Sequence, residues 1–298
     1  MNNVDSSILF LFIINPISGT AQKHNIPDLI YSTLQVDKSR IKISLTRYAG
    51  HARELGAKAV SDGIPNVISV GGDGTMNEIA SALLHTNTCL GIIPMGSGNG
   101  LARHLKIPLN PIKAIEMLNN YKSTTIDSGN INDIPFFCTA GIGIDAQVSK
   151  AFDDLPTRGF KTYAKAMFNK VRSYQGDELL VRINDNTEIS GTFLISTFAN
   201  ANQYGNNAYI APSASLEDGQ LNLILMKPVN FIQAIGKIVK LFSKTFDQDK
   251  SVHHALFQNV EITRKHEGPA HVDGDPILLG TTISVRCVPQ SLHVLIPA

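Results

Sequence analysis

The run Gly71-Gly72-Asp73-Gly74-Thr75-Met76-Asn77, followed by Glu78, has the residue types of a phosphate cradle. An apolar run ends just before it at Val70 and an amphipathic stretch starts near Asn77, so it reads as a strand-to-helix junction. Glycines let a ligand approach the peptide groups, and the helix start adds N–H donors and a positive dipole end. Asp73 is the odd member. A carboxylate beside a phosphate is repulsive unless a divalent cation or an abstractable proton stands between them. The plain alternative is an ordinary strand–turn–helix corner.

Strands and helices alternate around this loop. Apolar runs at Ile8–Ile14, Ile41–Leu45, Val67–Val70 and Leu90–Ile93 read as strands. Helical patterns lie near Ile26–Gln35, Ala49–Ser61 and Asn77–His85, and before and after Pro108. Short continuous apolar strands separated by helices imply a parallel sheet covered on both faces, with ligands beyond the strands' carboxyl ends. Those ends carry Asn15-Pro16-Ile17-Ser18-Gly19, Thr46 with Gly50, the Gly71–Asn77 loop, and Pro94-Met95-Gly96-Ser97-Gly98-Asn99.

After Ile126 the pattern changes. Phe136–Ile144, Leu179–Ile183, Glu188–Ala199, Leu221–Met226, Val260–Arg264 and Ile283–Val288 read as strands joined by polar turns, with a hairpin at Asp185-Asn186. The expected fold is an α/β domain with a parallel sheet over residues 1–127 and a mostly-β sandwich domain over 128–298. Asp127–Asp133 reads as the boundary, and the cleft between the halves as the place for an active site.

A chain of 298 residues, 43% hydrophobic, has room for two cores. The formal charge of +1 gives no global attraction to nucleic acid, and no nucleic-acid module is visible. Cys89, Cys138 and Cys287 lie in apolar runs and are expected as buried, reduced thiols of a cytoplasmic protein. Ile8–Ile14 meets Asn15-Pro16 rather than a cleavage site and reads as a first strand, not a signal peptide. No run approaches the ~20 apolar residues of a membrane span.

Taken together, the loops resemble the diacylglycerol kinase catalytic-domain family, which includes soluble bacterial lipid kinases, sphingosine kinases and ceramide kinases. The carriers are Asn15–Gly19, Thr46 with Gly50-His51-Ala52, Gly71–Glu78, Pro94–Asn99, Gly141–Ala146, Ala211-Pro212 with Glu217-Asp218-Gly219, and Asp273-Gly274-Asp275. The resemblance implies an ATP-dependent kinase acting on a lipid hydroxyl. By its pattern ATP meets Asn15, Pro16, Ile17, Ser18, Gly19, Thr46, Gly71, Gly72, Asp73, Gly74, Thr75, Met76, Asn77 and Ser97. Hydroxyls and amides suit phosphate oxygens, and since no Walker-type lysine is present, charge neutralisation falls to magnesium. A Mg2+ site is implied at Asp218, with the backbone carbonyls of Ser215 and Gln220. By itself Asp218-Gly219 reads as a β-turn.

Two carboxylates compete for the base that takes the hydroxyl proton. Asp275 stands at the third position of the family's Asp-Gly-Glu motif, assigned there as proton acceptor, and is one methylene shorter, about 1.5 Å less reach. Asp73 is the alternative, as in the sphingosine kinase branch. Read without the family, Asp273–Asp275 is a hairpin turn. Asp145 matches an acidic position that meets the lipid's polar head in the sphingosine kinase branch, and otherwise reads as a helix N-cap. Ser97-Gly98-Asn99 is closer to sphingosine and ceramide kinases than to bacterial diacylglycerol kinases. Gly205-Asn206-Asn207 replaces a glycine triplet. His51, His104 and His271 have no metal or triad spacing and read as surface or satisfied polar groups.

The lipid must then come from a membrane surface, at the inner face of a cell membrane, and a homodimer is compatible with the chain. Two segments could dock: the basic stretch Arg158–Arg172 and the amphipathic Phe231–Phe246, although each could equally pack its apolar face on the β domain. The rivals are a NAD kinase-like or phosphofructokinase-like activity, which also uses a Gly-Gly-Asp-Gly loop, and a lipid- or nucleotide-binding regulator without catalysis.

Overall fold

A computed structural model of the chain describes residues 8–17, 25–147, 174–184 and 186–298. Ser18, Gly19, Asp185 and the basic stretch 158–172 therefore lie outside the described residues. The chain divides into two compact units, residues 1–126 with 290–298, and residues 127–289.

In the first unit β1 (Phe10–Ile14), β2 (Ile41–Leu45), β3 (Asn66–Gly71) and β4 (Cys89–Pro94) form a parallel sheet in the order β2-β1-β3-β4. β1 and β3 are buried along their whole length, as continuous apolar strands between two helical layers should be. The helices are α1 (Ile26–Thr33), α2 (His51–Ser61), α3 (Asp73–Leu83), α4 (Gly100–His104) and α5 (Pro111–Met117). α3 starts four residues ahead of the sequence expectation, on Asp73. Glycine discourages a helical reading, but the first turn needs only the Gly72 carbonyl, which accepts from the Met76 N–H at 3.0 Å. The chain's end returns to this unit: Val294, expected in the second domain, lies in parallel register with Leu90 of β4.

The 127–133 stretch, expected as the boundary, begins as ordered strand where the second unit starts. β5 (Tyr121–Ile131) runs through it and turns at Asn132-Asp133, both at positive φ, into β6 (Ile134–Phe136). Although the stretch is polar, Asp127 is internal and paired: its N–H donates to Leu216 O at 2.7 Å, and Oδ2 accepts from Gly219 N at 2.7 Å.

The second unit is a sandwich of antiparallel sheets. One contains β8 (Asp177–Ile183), β9 (Thr187–Phe193), β13 (Asn259–Arg264) and the first part of β16 (Thr282–Pro297). The other has six strands. β12 (Val252–Phe257), β11 (Leu221–Met226), β10 (Ile195–Ala199), β7 (Thr139–Gly143), β14 (Gly268–Val272) and β15 (Asp275–Leu279) lie in that order. Val181 and Ile262 meet Ile142, Phe198 and Leu223 in the core between the sheets. The second side of β11 is covered too: Ile224 and Met226 join Leu194, Ile210, Phe246 and Val252 in a separate cluster. α6 (Phe231–Phe242) lies beyond β11 in the chain. The run 188–199, expected as one strand, is two strands in different sheets. Leu194 is the break, its N–H donating to Met226 O at 2.7 Å and its carbonyl accepting from Ile144 N at 2.9 Å. Cys138 is buried, its thiol donating to Gln203 O at 3.0 Å, and Cys89 and Cys287 are half-buried; none of the three is in a disulfide.

Candidate active site

The first unit builds its site from backbone. Strand register puts Asn15, Thr46, Gly71 and Pro94 at one level of the carboxyl edge: Ile14 pairs with Leu45 and Val70, and Gly71 with Pro94. The β3–α3 and β4–α4 loops are seated against each other with almost no space. A Cβ on Gly96 would come within 2.7 Å of Gly72 Cα, and Met95 N donates to Gly71 O at 2.7 Å. Side chains there would force the loops apart.

Asp73 locks this pair. Its Oδ2 accepts from Asn99 N at 2.9 Å and its Oδ1 from Gly100 N at 3.1 Å, so one carboxylate of the first loop closes the second. Asn99, in the left-handed conformation at φ 54°, ties its own loop by accepting from Gly96 N and donating to Gly96 O. Arg103 reaches back to Gly98 O at 3.0 Å. Helix α3 makes its first internal bond from Met76, so the amides of Gly74 and Thr75 precede the ladder, at the end where the dipole favours an anion. Thr75 accepts from Asn15 Nδ2 at 3.0 Å, joining the β1 loop to the same point. Pro16, Ile17 and Ser97 are exposed at the rim, whereas Met76 is buried beneath it. Asn77 lies in the helix's second turn, next to Glu78, which accepts from Gly50 N at 2.8 Å and Ala52 N at 3.1 Å and so fastens the start of α2.

The second unit builds its site from side chains on one hairpin. β14 and β15 are joined by Asp273-Gly274 with φ of 49° and 92°, a two-residue turn of the type suited to strand twist. The hairpin reading was correct, and the structure adds what fixes it. The Asp273 carboxylate accepts from three consecutive amides, Phe137 N at 3.0 Å, Cys138 N at 2.7 Å and Thr139 N at 3.1 Å. At the open end buried Arg264 donates to the carbonyls of Gly268 and Leu279, at 2.8 and 2.5 Å, and of Gly280 at 3.0 Å. Both ends are thus held. Asp275 opens β15 opposite Val272 and is exposed.

Asp145 is 2% exposed inside this unit, on residues 144–147 that start a helical turn after β7. Its Oδ2 accepts from Thr197 Oγ1 at 2.8 Å and Tyr204 Oη at 3.2 Å, and meets His271 Nε2 at 3.2 Å; its Oδ1 accepts from Ala146 N at 2.9 Å. The Ala146 bond spans one residue rather than the two or three of an N-cap, and the helix expected over 146–152 lies mostly outside the described residues, so the polar cluster is what is observed. Gly141 makes room for it, since a Cβ there would stand 2.4 Å from Asp145 Oδ2 and 2.8 Å from His271 Nε2. His271, expected as a surface or satisfied polar group, is 2% exposed and its Nδ1 has no hydrogen-bond partner. Spacing carried a signal for it, because residues 271 and 273 of an extended segment share a face. Nothing in sequence flagged Thr197, Tyr204 or Arg264, which arrive from distant strands.

Asp218 is exposed and its Oδ1 accepts from Gln220 N at 3.1 Å, while Ser215 Oγ accepts from Glu217 N at 3.2 Å. Among the described residues no group of three or more His, Cys, Asp or Glu could hold a metal. The surroundings are nevertheless negative. The Cys287 thiol is pushed up to about 12, first by burial and then by Asp127 and Asp218. A single carboxylate with neutral oxygens in such a field fits a hard, largely hydrated cation.

Comparison with known proteins places both units. A family model described as the diacylglycerol kinase catalytic domain matches residues 9–131, and one described as the YegS C-terminal NAD kinase beta sandwich-like domain matches residues 138–296. A relative from Chromohalobacter salexigens named "Probable lipid kinase YegS-like" is 27% identical over 242 residues, covering 79% of this chain and 78% of the relative. A protein of Synechocystis sp., "Uncharacterized protein sll0036", is 29% identical over 303 residues, covering 96% of this chain and 69% of its own. Among solved structures, a diacylglycerol kinase from Bacillus anthracis superposes with a TM-score of 0.73 at 18% identity, covering 96% and 95% of the two chains. An NAD kinase from Archaeoglobus fulgidus in complex with ATP gives 0.52 at 13%, covering 97% and 94%. At these identities the two structures attest the fold.

Proposed function

The chain belongs to the diacylglycerol kinase catalytic-domain family, with a YegS-type β-sandwich as its second half, and from that premise we propose that it transfers the γ-phosphoryl group of ATP to a lipid hydroxyl. The observation that carries this reading is the lock between the two glycine loops through Asp73, which leaves the start of α3 facing the carboxyl edge of the sheet. A triphosphate suits that place. The Gly74 and Thr75 amides, with the Ser97 hydroxyl at the rim, supply donors without a lysine.

In the transfer the bond between the γ-phosphorus and the β,γ-bridging oxygen breaks and the lipid oxygen takes its place, releasing ADP. The lipid hydroxyl's proton goes to Asp275. Two carboxylates compete by motif, and their exposure separates them. Asp73 has both oxygens on backbone amides that close the second loop, an architectural role, whereas Asp275 is exposed to an acceptor on a hairpin fixed at both ends. Bound Mg2+ would supply charge neutralisation at the triphosphate, and a Mg2+ of the family's structural kind would be held by Asp218 with the carbonyls of Ser215 and Gln220. Asp145 is saturated by its own partners, so it orients Tyr204, which is half-buried, to meet the acceptor's polar head.

Labelled ATP incubated with a lipid extract, diacylglycerol, sphingosine and NAD, resolved by thin-layer chromatography, tests the reading. Label on an organic-soluble product is the expected result. Label on NAD alone would replace it with the NAD kinase-like activity, and tight ATP binding with no transfer would favour a non-catalytic regulator.

A further inference from the structure

Helix α6 is amphipathic in the wrong sense for a helix serving the core. Among its large apolar residues Ile232 is 80% exposed, Val239 61%, Ile235 51%, Ile238 44% and Phe242 40%. Apart from Leu241, which packs on the Ile224–Met226 cluster, its inward side is small or cationic. Ala234 is buried, and Lys237 and Lys240 turn back onto the fold, both reaching Asp249 Oδ2, at 2.6 and 2.7 Å. Burial works against the Asp249 charge, but the two lysines and Ser251 outweigh it and hold the carboxyl well below its usual range. A capping box between Asn230 and Gln233 fixes the helix start, and Leu241 O accepts from Tyr209 N at 2.9 Å near its end. Held this way, α6 keeps its apolar stripe outward, at spacings of three and four residues that form one face.

We propose that this stripe is the surface by which the protein docks on an anionic lipid bilayer, α6 lying in the plane of the interface. The choice of a lipid surface as occupant rests on the lipid-acceptor reading above and on charge. Residues 227–246 contain no Asp or Glu, and the stripe is flanked by exposed Lys227, Lys244 and Lys250. The acids that follow in the sequence are engaged, Asp249 by the two lysines and Asp247 by the N–H and hydroxyl of Ser213. Apolar side chains rimmed by unopposed lysines match the boundary between acyl chains and acidic headgroups. No helix among the described residues is long and apolar enough to cross a membrane, so docking by α6 is peripheral.

The test is sedimentation with phosphatidylcholine vesicles, with and without phosphatidylglycerol, for the full chain and for Ile232→Glu/Val239→Glu. Both positions are among the most exposed of the stripe, so the variant is expected to keep its melting temperature. It should bind phosphatidylglycerol vesicles about tenfold or more weaker, through two lost apolar contacts. Phosphorylation of a short-chain, water-soluble acceptor should be unchanged. A second variant, Lys244→Gln/Lys250→Gln, should weaken binding by a smaller factor that vanishes at high salt. Vesicle binding unaffected by Ile232→Glu/Val239→Glu overturns the proposal, as does light scattering that shows the stripe holding two copies together while vesicles are ignored. The two readings fail separately. Binding through α6 without lipid phosphorylation leaves docking intact and removes the lipid acceptor, whereas lipid phosphorylation with α6-independent binding does the reverse.

Discussion

Both units use an aspartate from a Gly-Asp or Asp-Gly motif to gather backbone amides, and they use it differently. Asp73 joins two loops that belong to different strands, so its bonds create the cradle. Asp273 pins a single hairpin, so its bonds present a neighbour, Asp275. The first site is made of peptide groups and depends on close approach between Gly72 and Gly96. The second is made of side chains drawn from β7, β10 and β14 and depends on a fixed hairpin. Conspicuous acids in glycine-rich motifs can therefore be structural, and the carboxylate proposed for proton transfer is an exposed one.

That contrast breaks most visibly at Asp275. Asp275→Asn should lower the transfer rate by roughly 10^2 to 10^4, the range typical of a lost general base, with ATP affinity unchanged by calorimetry. Acid should next separate the units. Burial, and then Lys106, holds the half-buried His104 imidazole down at about 4 from 6.5. The unfolded chain then binds the extra proton first, so the stability of the first unit is complete above pH 6.5 and falls as pH drops towards 4, by up to ~3 kcal/mol. Asp249 in the second unit has a lowered carboxyl pKa, so its contribution persists above 3.8 and is lost only on further acidification. Urea melts at pH 7 and pH 4.5, read by hydrogen exchange at α4 and at β11, should show the first unit losing more.

Asp73→Asn tests the cradle. An amide offers only one acceptor oxygen to the Asn99 and Gly100 amides, so the loop lock should weaken by ~1–3 kcal/mol and ATP affinity should fall about tenfold or more. Unchanged affinity would show that Asp73 faces the acceptor instead. The smallest effect belongs to His271→Asn, which removes the Nε2 contact with Asp145. Acceptor KM should rise about threefold to tenfold with kcat held within about twofold, a loss of ~1 kcal/mol in binding. A fall in kcat with KM unchanged would place His271 in the chemical step.

Much of the first unit was legible because apolar runs and Gly-rich loops alternate in sequence as the elements do in space. β2 and β11 lie where their patterns put them. Legibility failed where tertiary bonds override local composition. Strand β5 carries polar Asp127 fully buried and paired, which its composition does not show, and 188–199 breaks because the Leu194 peptide bonds to Met226 through its N–H and to Ile144 through its carbonyl. The outward stripe of α6 was also hidden, because a helical period marks an apolar face without saying which way it points. At the site, motif residues could be found one by one, but not which carboxylates are consumed by amides.

Single-turnover transfer at saturating ATP, comparing Asp275→Asn with Asp73→Asn, tests the division of labour between these acids most directly. The account predicts that saturation restores much of the Asp73→Asn rate and none of the Asp275→Asn rate. Substantial turnover by Asp275→Asn, with Asp73→Asn inactive although loaded with nucleotide, would contradict it.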